Sequence, residues 1–124
     1  MPRILVVDDE LLIRDLLYDF FTSRNYDIIL AESASKALEI IRSDEIDLVL
    51  TDLKMPDMDG LEMLRRANTR EDGPPVIIMT GFPSLESAIE ALRLRVADYI
   101  VKPFNINRLF ECIEAVLEEK APVS

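Results

Sequence analysis

Apolar residues along this chain follow two rhythms. Unbroken apolar runs, rich in Val, Ile and Leu, fall at residues 4–7, 28–30, 48–50, 76–79 and 99–101. Runs without polar alternation fit strands buried on both faces. Between them the spacing becomes helical. Ile13, Leu16, Leu17, Phe20 and Phe21 sit at i, i+3, i+4, i+7 and i+8, which places them on one helix face. Ala34, Ala37, Leu38 and Ile41 repeat the pattern, as do Leu85, Ala88, Ile89 and Leu92. Ile106, Leu109, Phe110, Ile113 and Leu117 give the clearest period. A shorter helix is predicted over 61–67. Ser84 and Asn105 stand just before helical periods, where N-caps belong.

KMPDMDG (54–60) and NTREDGPP (68–75) carry the Pro, Asp and Gly of loops. No motif repeats as a whole, but the element types alternate: a strand and a helix, five times over. Repeated βα units imply a parallel sheet with right-handed crossovers and helices on both faces. The chain has 124 residues, the size of one domain. The fold class is therefore α/β: a flavodoxin-like (βα)5 doubly wound sheet of strand order 2-1-3-4-5. Its site is expected beyond the strand C-termini, where strands 1 and 3 diverge. Residues 1–119 form the domain, and KAPVS (120–124) reads as a tail or the start of a linker.

Composition narrows the function. Charged residues make up 31%, which argues against both disorder and a membrane protein. No apolar run approaches the length of a membrane span, and MPRILVV lacks the layout of a signal peptide. The single cysteine, Cys112, allows no internal disulfide and fits a reducing cytoplasm; it reads as a small buried or half-buried helix residue. A net charge of −10 argues against direct nucleic-acid binding. With no histidine in the chain, Ser-His and Cys-His catalysis and His-ligated zinc are excluded.

The stretch ILVVDDE ends the first strand with Asp8 and Asp9. Adjacent carboxylates repel and lose hydration there, which folding alone does not require. Asp52 ends the third strand in LVLTD, Thr80 ends the fourth in VIIMT, and Lys102 follows the fifth in YIVK. Taken singly, each has an ordinary reading: helix cap, loop opener, β-former, solvated lysine. Together they converge on one edge of the predicted sheet. Few carboxylates plus water suit Mg²⁺ better than Ca²⁺, and zinc lacks its ligands. A metal, a lysine and a hydroxyl are the parts needed to handle a phosphoryl group. An aspartate can carry that group covalently, and Asp52, facing the acid pair, is the candidate.

The segments VVDDE, LVLTDLKMPDMDG, VIIMTG and YIVKPF, in this order and spacing, resemble the receiver domain of bacterial two-component response regulators. The resemblance runs from Ile4 to Leu117. It implies a phosphorylation-activated switch in which Asp52 takes a phosphoryl group from a histidine of a sensor kinase or histidine phosphotransfer protein. It implies Mg²⁺ bound directly by Asp9 and Asp52 and by the backbone carbonyl of Lys54, with Asp8 acting through water. Lys102 would pair with the phosphate, Thr80 would be the switch hydroxyl, and Tyr99 the aromatic that reorients on activation. Lys102–Pro103 would be a cis peptide. Such a domain assists its own phosphotransfer and dephosphorylation without being a turnover enzyme.

The face built from the fourth helix, fifth strand and fifth helix would control an output domain or effector, or a dimer on activation. Arg93, Arg95, Asp98 and Arg108 lie on or near that face, and a solvated charged surface is the plainer reading of them. One departure concerns Val96, which stands where the family commonly has glycine. A β-branched residue resists positive φ, so the turn out of the fourth helix is expected to differ. Gly81 is small enough to leave phosphate access open, and Lys54 and Phe82 flank the site.

Three other readings compete. A haloacid-dehalogenase-type phosphatase wants Asp-x-Asp, whereas Glu10 lies two after Asp8 and Lys54 two after Asp52. A docking module with no phosphorylation has no need of the full set Asp8, Asp9, Asp52, Thr80 and Lys102. A flavodoxin-type cofactor binder needs a Ser/Thr/Gly-rich phosphate loop where this chain has DDELL.

Overall fold

The computed structural model describes residues 1–67 and 73–120. Residues 68–72 of the expected loop and 121–124 of the expected tail lie outside the described residues. The elements alternate as β1 (Arg3–Val7), α1 (Leu11–Thr22), β2 (Asp27–Ala31), α2 (Ala34–Ser43), β3 (Leu48–Asp52), α3 (Gly60–Ala67), β4 (Val76–Thr80), α4 (Leu85–Arg93), β5 (Asp98–Val101) and α5 (Ile106–Lys120). The sheet is parallel throughout, in the expected order β2-β1-β3-β4-β5. The Lys102–Pro103 peptide is cis, as the family resemblance implies. Among the described residues no helix is long and apolar enough to cross a membrane.

Strand alternation sorts the core into two layers. Ile4, Val6, Leu48, Leu50, Ile77 and Met79 point to one face, where Leu17 and Phe21 of α1 and Leu109 and Ile113 of α5 cover them. Leu5, Val7, Val49, Val76 and Ile78 point to the other, against Ala34, Ala37 and Leu38 of α2, Leu61 and Leu64 of α3, and Ala91 of α4. With both faces covered, the central strands have no polar side to show, which explains their unbroken apolar runs. Each fully buried Leu, Ile or Phe contributes roughly 1.5–3 kcal/mol.

The register sets up the site. Val7 pairs with Thr51, so the next residues, Asp8 and Asp52, emerge side by side. Thr80 pairs with Val101, which puts Lys102 one step past the end of β4. β3 and β4 end on Asp52 and Thr80 themselves.

The caps are partly those expected. Ser84 Oγ accepts from Ser87 N at 3.1 Å, and Asn105 Oδ1 accepts from Asn107 N at 2.9 Å. Ser33 also caps α2, accepting from Lys36 N at 3.2 Å. The turn out of α4 corrects the expectation for Val96. The left-handed residue is Arg95, with φ 59°, one position earlier. Arg95 N donates to Leu92 O at 3.0 Å and Val96 N to Ala91 O at 3.1 Å. This is a Schellman closure, whose left-handed position usually holds glycine. Val96 itself packs against the α2–α3–α4 layer, so its branched side chain is no obstacle to the turn.

A non-glycine residue in the left-handed region costs roughly 1–2 kcal/mol, and glycine returns part of that as chain entropy. Arg95→Gly is therefore expected to stabilise by about 0.5–1 kcal/mol. Thermal melting should show a rise of a few degrees, while Val96→Gly should show a loss.

Candidate functional site

Burying a carboxylate demands hydrogen bonds and a counter-charge. Asp8 is fully buried and Asp52 is 5% exposed. Asp8 Oδ1 accepts from Glu10 N at 2.9 Å, and its Oδ2 accepts from Lys102 Nζ at 2.8 Å. Asp52 Oδ1 accepts from Leu53 N at 2.7 Å, and its Oδ2 from Lys102 Nζ at 3.3 Å. Glu10 Oε1 lies 3.5 Å from the same ammonium. Lys102 thus stands among three acids, with its side chain 12% exposed.

The electrostatics follow from this crowding. Burial, and then the charge of Asp8, raise the Asp52 carboxyl above its ordinary value, against the opposing pull of Lys102. Burial works to lower Lys102, but the hydrogen bond and charge of Asp8, with help from Asp52, leave its pKa raised. Elsewhere burial, and then Asp98, push the Cys112 thiol up to about 12; Cys112 Sγ donates to Asp98 Oδ2 at 2.9 Å. Cys112 is a half-buried helix residue, as expected.

The fold brings Asp8, Asp52 and Lys102 together, as the strand-end argument predicts. Thr80 is fully buried at the end of β4, its Oγ1 accepting from Phe82 N at 3.0 Å. Asp9 is exposed and stands outside the carboxylate group, which Glu10 joins instead. Lys54 is exposed, two residues past Asp52, and Phe82 is 71% exposed. Tyr99 is half-buried against the α2–α3–α4 layer, its hydroxyl 2.7 Å from Ser87 Oγ of α4. A Cβ built on exposed Gly81 would meet only ordinary contact, Lys102 Cβ at 3.9 Å.

Three residues escaped the sequence reading. Glu10 reaches the site from the first residue before α1. Asp57 ties the β3–α3 loop to α2, accepting from Ser35 Oγ at 2.6 Å and Ser35 N at 2.9 Å. Those bonds hold its carboxyl down at about 2. Gly60 lets α3 approach the end of β3: an added Cβ would sit 2.5 Å from the Asp52 carbonyl oxygen. Acid-rich sequence around Asp8 and the MPDMDG turn were the available signals, but neither fixes side-chain direction.

The donor set fits a hard divalent cation. One oxygen each of Asp8, Glu10 and Asp52 lie within 4.8 Å of one another, and carboxylate oxygens are the donors such ions prefer.

Two outcomes test this geometry. Gly60→Ala forces backbone to move against backbone and should cost about 1–3 kcal/mol in urea unfolding. For Asp52, the raised pKa means that the folded protein holds the proton more tightly than the unfolded chain. Stability therefore falls as pH climbs from the ordinary carboxylate range through the raised pKa. Asp52→Asn lacks that loss. In metal-free buffer at pH 7 its urea midpoint should exceed wild type, and the two should converge as pH falls through the carboxylate range. A lower midpoint at pH 7 would mean that the bonds from Lys102 and Leu53 outweigh charge burial.

Comparison with known proteins gives the family. The family model for the response regulator receiver domain matches residues 4–114. The regulatory protein AtoC of Escherichia coli K12 is 36% identical over 116 residues, covering 94% of this chain and 25% of AtoC. The transcriptional regulatory protein ZraR of Salmonella typhimurium is 39% identical over 114 residues, covering 92% of this chain and 26% of ZraR. The chain thus spans about a quarter of the length of these curated relatives. A CheY-like receiver domain protein from Methanospirillum hungatei superposes with a TM-score of 0.92 at 35% identity, covering 96% of this chain and 95% of that one. The response regulator TrrA of Thermotoga maritima, solved in complex with Mg²⁺-BeF, superposes with a TM-score of 0.83 at 34% identity, covering 94% of this chain and 99% of TrrA. With the family model matched over residues 4–114, the chain belongs to the response regulator receiver domain family.

Proposed function

We propose that this chain is a phosphorylation-activated signalling switch in which Asp52 is the phosphoacceptor. The observation that carries the reading is the Lys102 ammonium, held 3.3 Å from a nearly buried Asp52 at the point where strands diverge. The donor is a phosphohistidine on a sensor kinase or a histidine phosphotransfer protein. An Asp52 carboxylate oxygen attacks phosphorus, the P–N bond breaks, and the electron pair leaves with the imidazole nitrogen. The chain supplies the nucleophile and the counter-charge, and it is reset rather than turning over substrate.

Asp9, Asp52 and the Lys54 backbone carbonyl would hold Mg²⁺, with Asp8 acting through water. When bound, the ion neutralises charge that develops on the transferring oxygens. Once the phosphoryl group is in place, Lys102 pairs with its oxygens and loosens from Asp8. The Thr80 hydroxyl, which now accepts from Phe82 N, turns to donate to the phosphoryl group. Tyr99 exchanges its bond to Ser87 for an inward orientation, and α4 shifts with it. The added charge biases two existing populations. The α4–β5–α5 face then changes its preference for an output domain, an effector or a second copy. The relatives named as transcriptional regulators support an output in gene control, and the setting is cytoplasmic.

Incubation with acetyl phosphate, followed by intact mass, tests the chemistry. One phosphoryl adduct that needs Mg²⁺ and disappears in Asp52→Asn is expected. An adduct that survives in Asp52→Asn would assign the wrong aspartate. Mg²⁺ should also raise the melting temperature, since an ion at a hundredfold its Kd stabilises by about 2.7 kcal/mol. Asp9→Asn should remove most of that rise, and a full rise in that variant would overturn the role of Asp9.

A further inference from the structure

Glu10 occupies the N-cap position of α1 without capping it: its side chain makes no hydrogen bond to the first turn. Short Asp, Asn, Ser and Thr side chains suit that position because they reach back to the N–H groups of N2 and N3. The Glu10 carboxylate instead turns toward Lys102, with Oε1 3.5 Å from Nζ. Its own backbone N–H donates to Asp8 Oδ1 at 2.9 Å, so a buried residue of the site fixes where Glu10 stands.

Three carboxylates here share one ammonium, and stability alone does not account for the third. The Glu10 side chain is 61% exposed, and an exposed ion pair of this length contributes little. The surplus negative charge calls for further positive charge. Opposite ligands of Mg²⁺ stand about 4.2 Å apart and those of Ca²⁺ about 5 Å. The Asp8, Glu10 and Asp52 oxygens lie within 4.8 Å of one another, close enough for all three to face one hard cation or its water shell.

Resting on the phosphoacceptor reading above, we propose that Glu10 is a binding residue of the divalent-cation site, adding a further carboxylate to those of Asp8, Asp9 and Asp52 and so setting the ion's affinity. Glu10 releases its contact with Lys102 when the ion enters. The ammonium is then free to turn to the phosphoryl group.

Calorimetric titration of Mg²⁺ into the whole chain tests this, using wild type, Glu10→Gln, Asp15→Asn and Asp52→Asn. Asp15 is another exposed acid of α1 and controls for the loss of one negative charge. Glu10→Gln should weaken Mg²⁺ binding about tenfold, the size typical of supporting groups at metal sites. Asp15→Asn should stay near wild type, its charge being screened. Equal weakening in both variants would overturn the proposal in favour of general electrostatics. Unchanged affinity in Glu10→Gln, with loss in Asp52→Asn, would make Glu10 a mere counter-ion of Lys102 and leave the phosphoacceptor reading intact. Absence of Mg²⁺ binding by wild type would overturn both.

Discussion

A buried carboxylate must recover, from protein groups, the hydration it gives up, and several kcal/mol are lost if it does not. This fold buries two on neighbouring strands, Asp8 and Asp52, and sets one ammonium between them. The backbone N–H groups of Glu10 and Leu53 complete the shell. Asp52 nevertheless keeps a raised pKa, so the compensation is partial. The shortfall is useful: a site that still resists its own negative charge gains more from an arriving cation.

Everything that places these groups is apolar. The two-layer core fixes the strand register, and the register decides that Asp8 meets Asp52 and that Lys102 follows Thr80. A slip of one residue would exchange the two faces of a strand and carry the acids apart. Gly60 adds a steric limit, since its missing side chain lets α3 begin against the Asp52 backbone. Core packing and site chemistry are thus one design, with the helices holding the strands and the strand ends holding the charges.

The sequence exposed the strand ends well because burial on both faces leaves an unmistakable apolar run, and the polar residue that stops the run is then conspicuous. Asp8, Asp52, Thr80 and Lys102 all announced themselves in this way. Where backbone direction no longer dictates side-chain direction, the sequence is less legible. Asp9 and Glu10 are adjacent, yet Glu10 turns into the acid group while Asp9 faces solvent, and no periodicity distinguishes them. Asp57 looked like turn chemistry because its partner, Ser35, lies in a different element. Arg95 holds the left-handed turn expected one position later, since a helix C-terminus is fixed by its closing hydrogen bonds rather than by its apolar stripe.

The distribution of the site along the chain has a consequence for its synthesis. Asp8 and Asp52 come early among the strands, whereas Lys102 lies 94 residues after the one and 50 after the other. At 5–20 residues per second, a ribosome leaves Asp52 without its ammonium for roughly 3–10 s. During that interval the central strands can begin to pair, but their acidic ends repel. A cation captured in that interval would reach the acids before their lysine does.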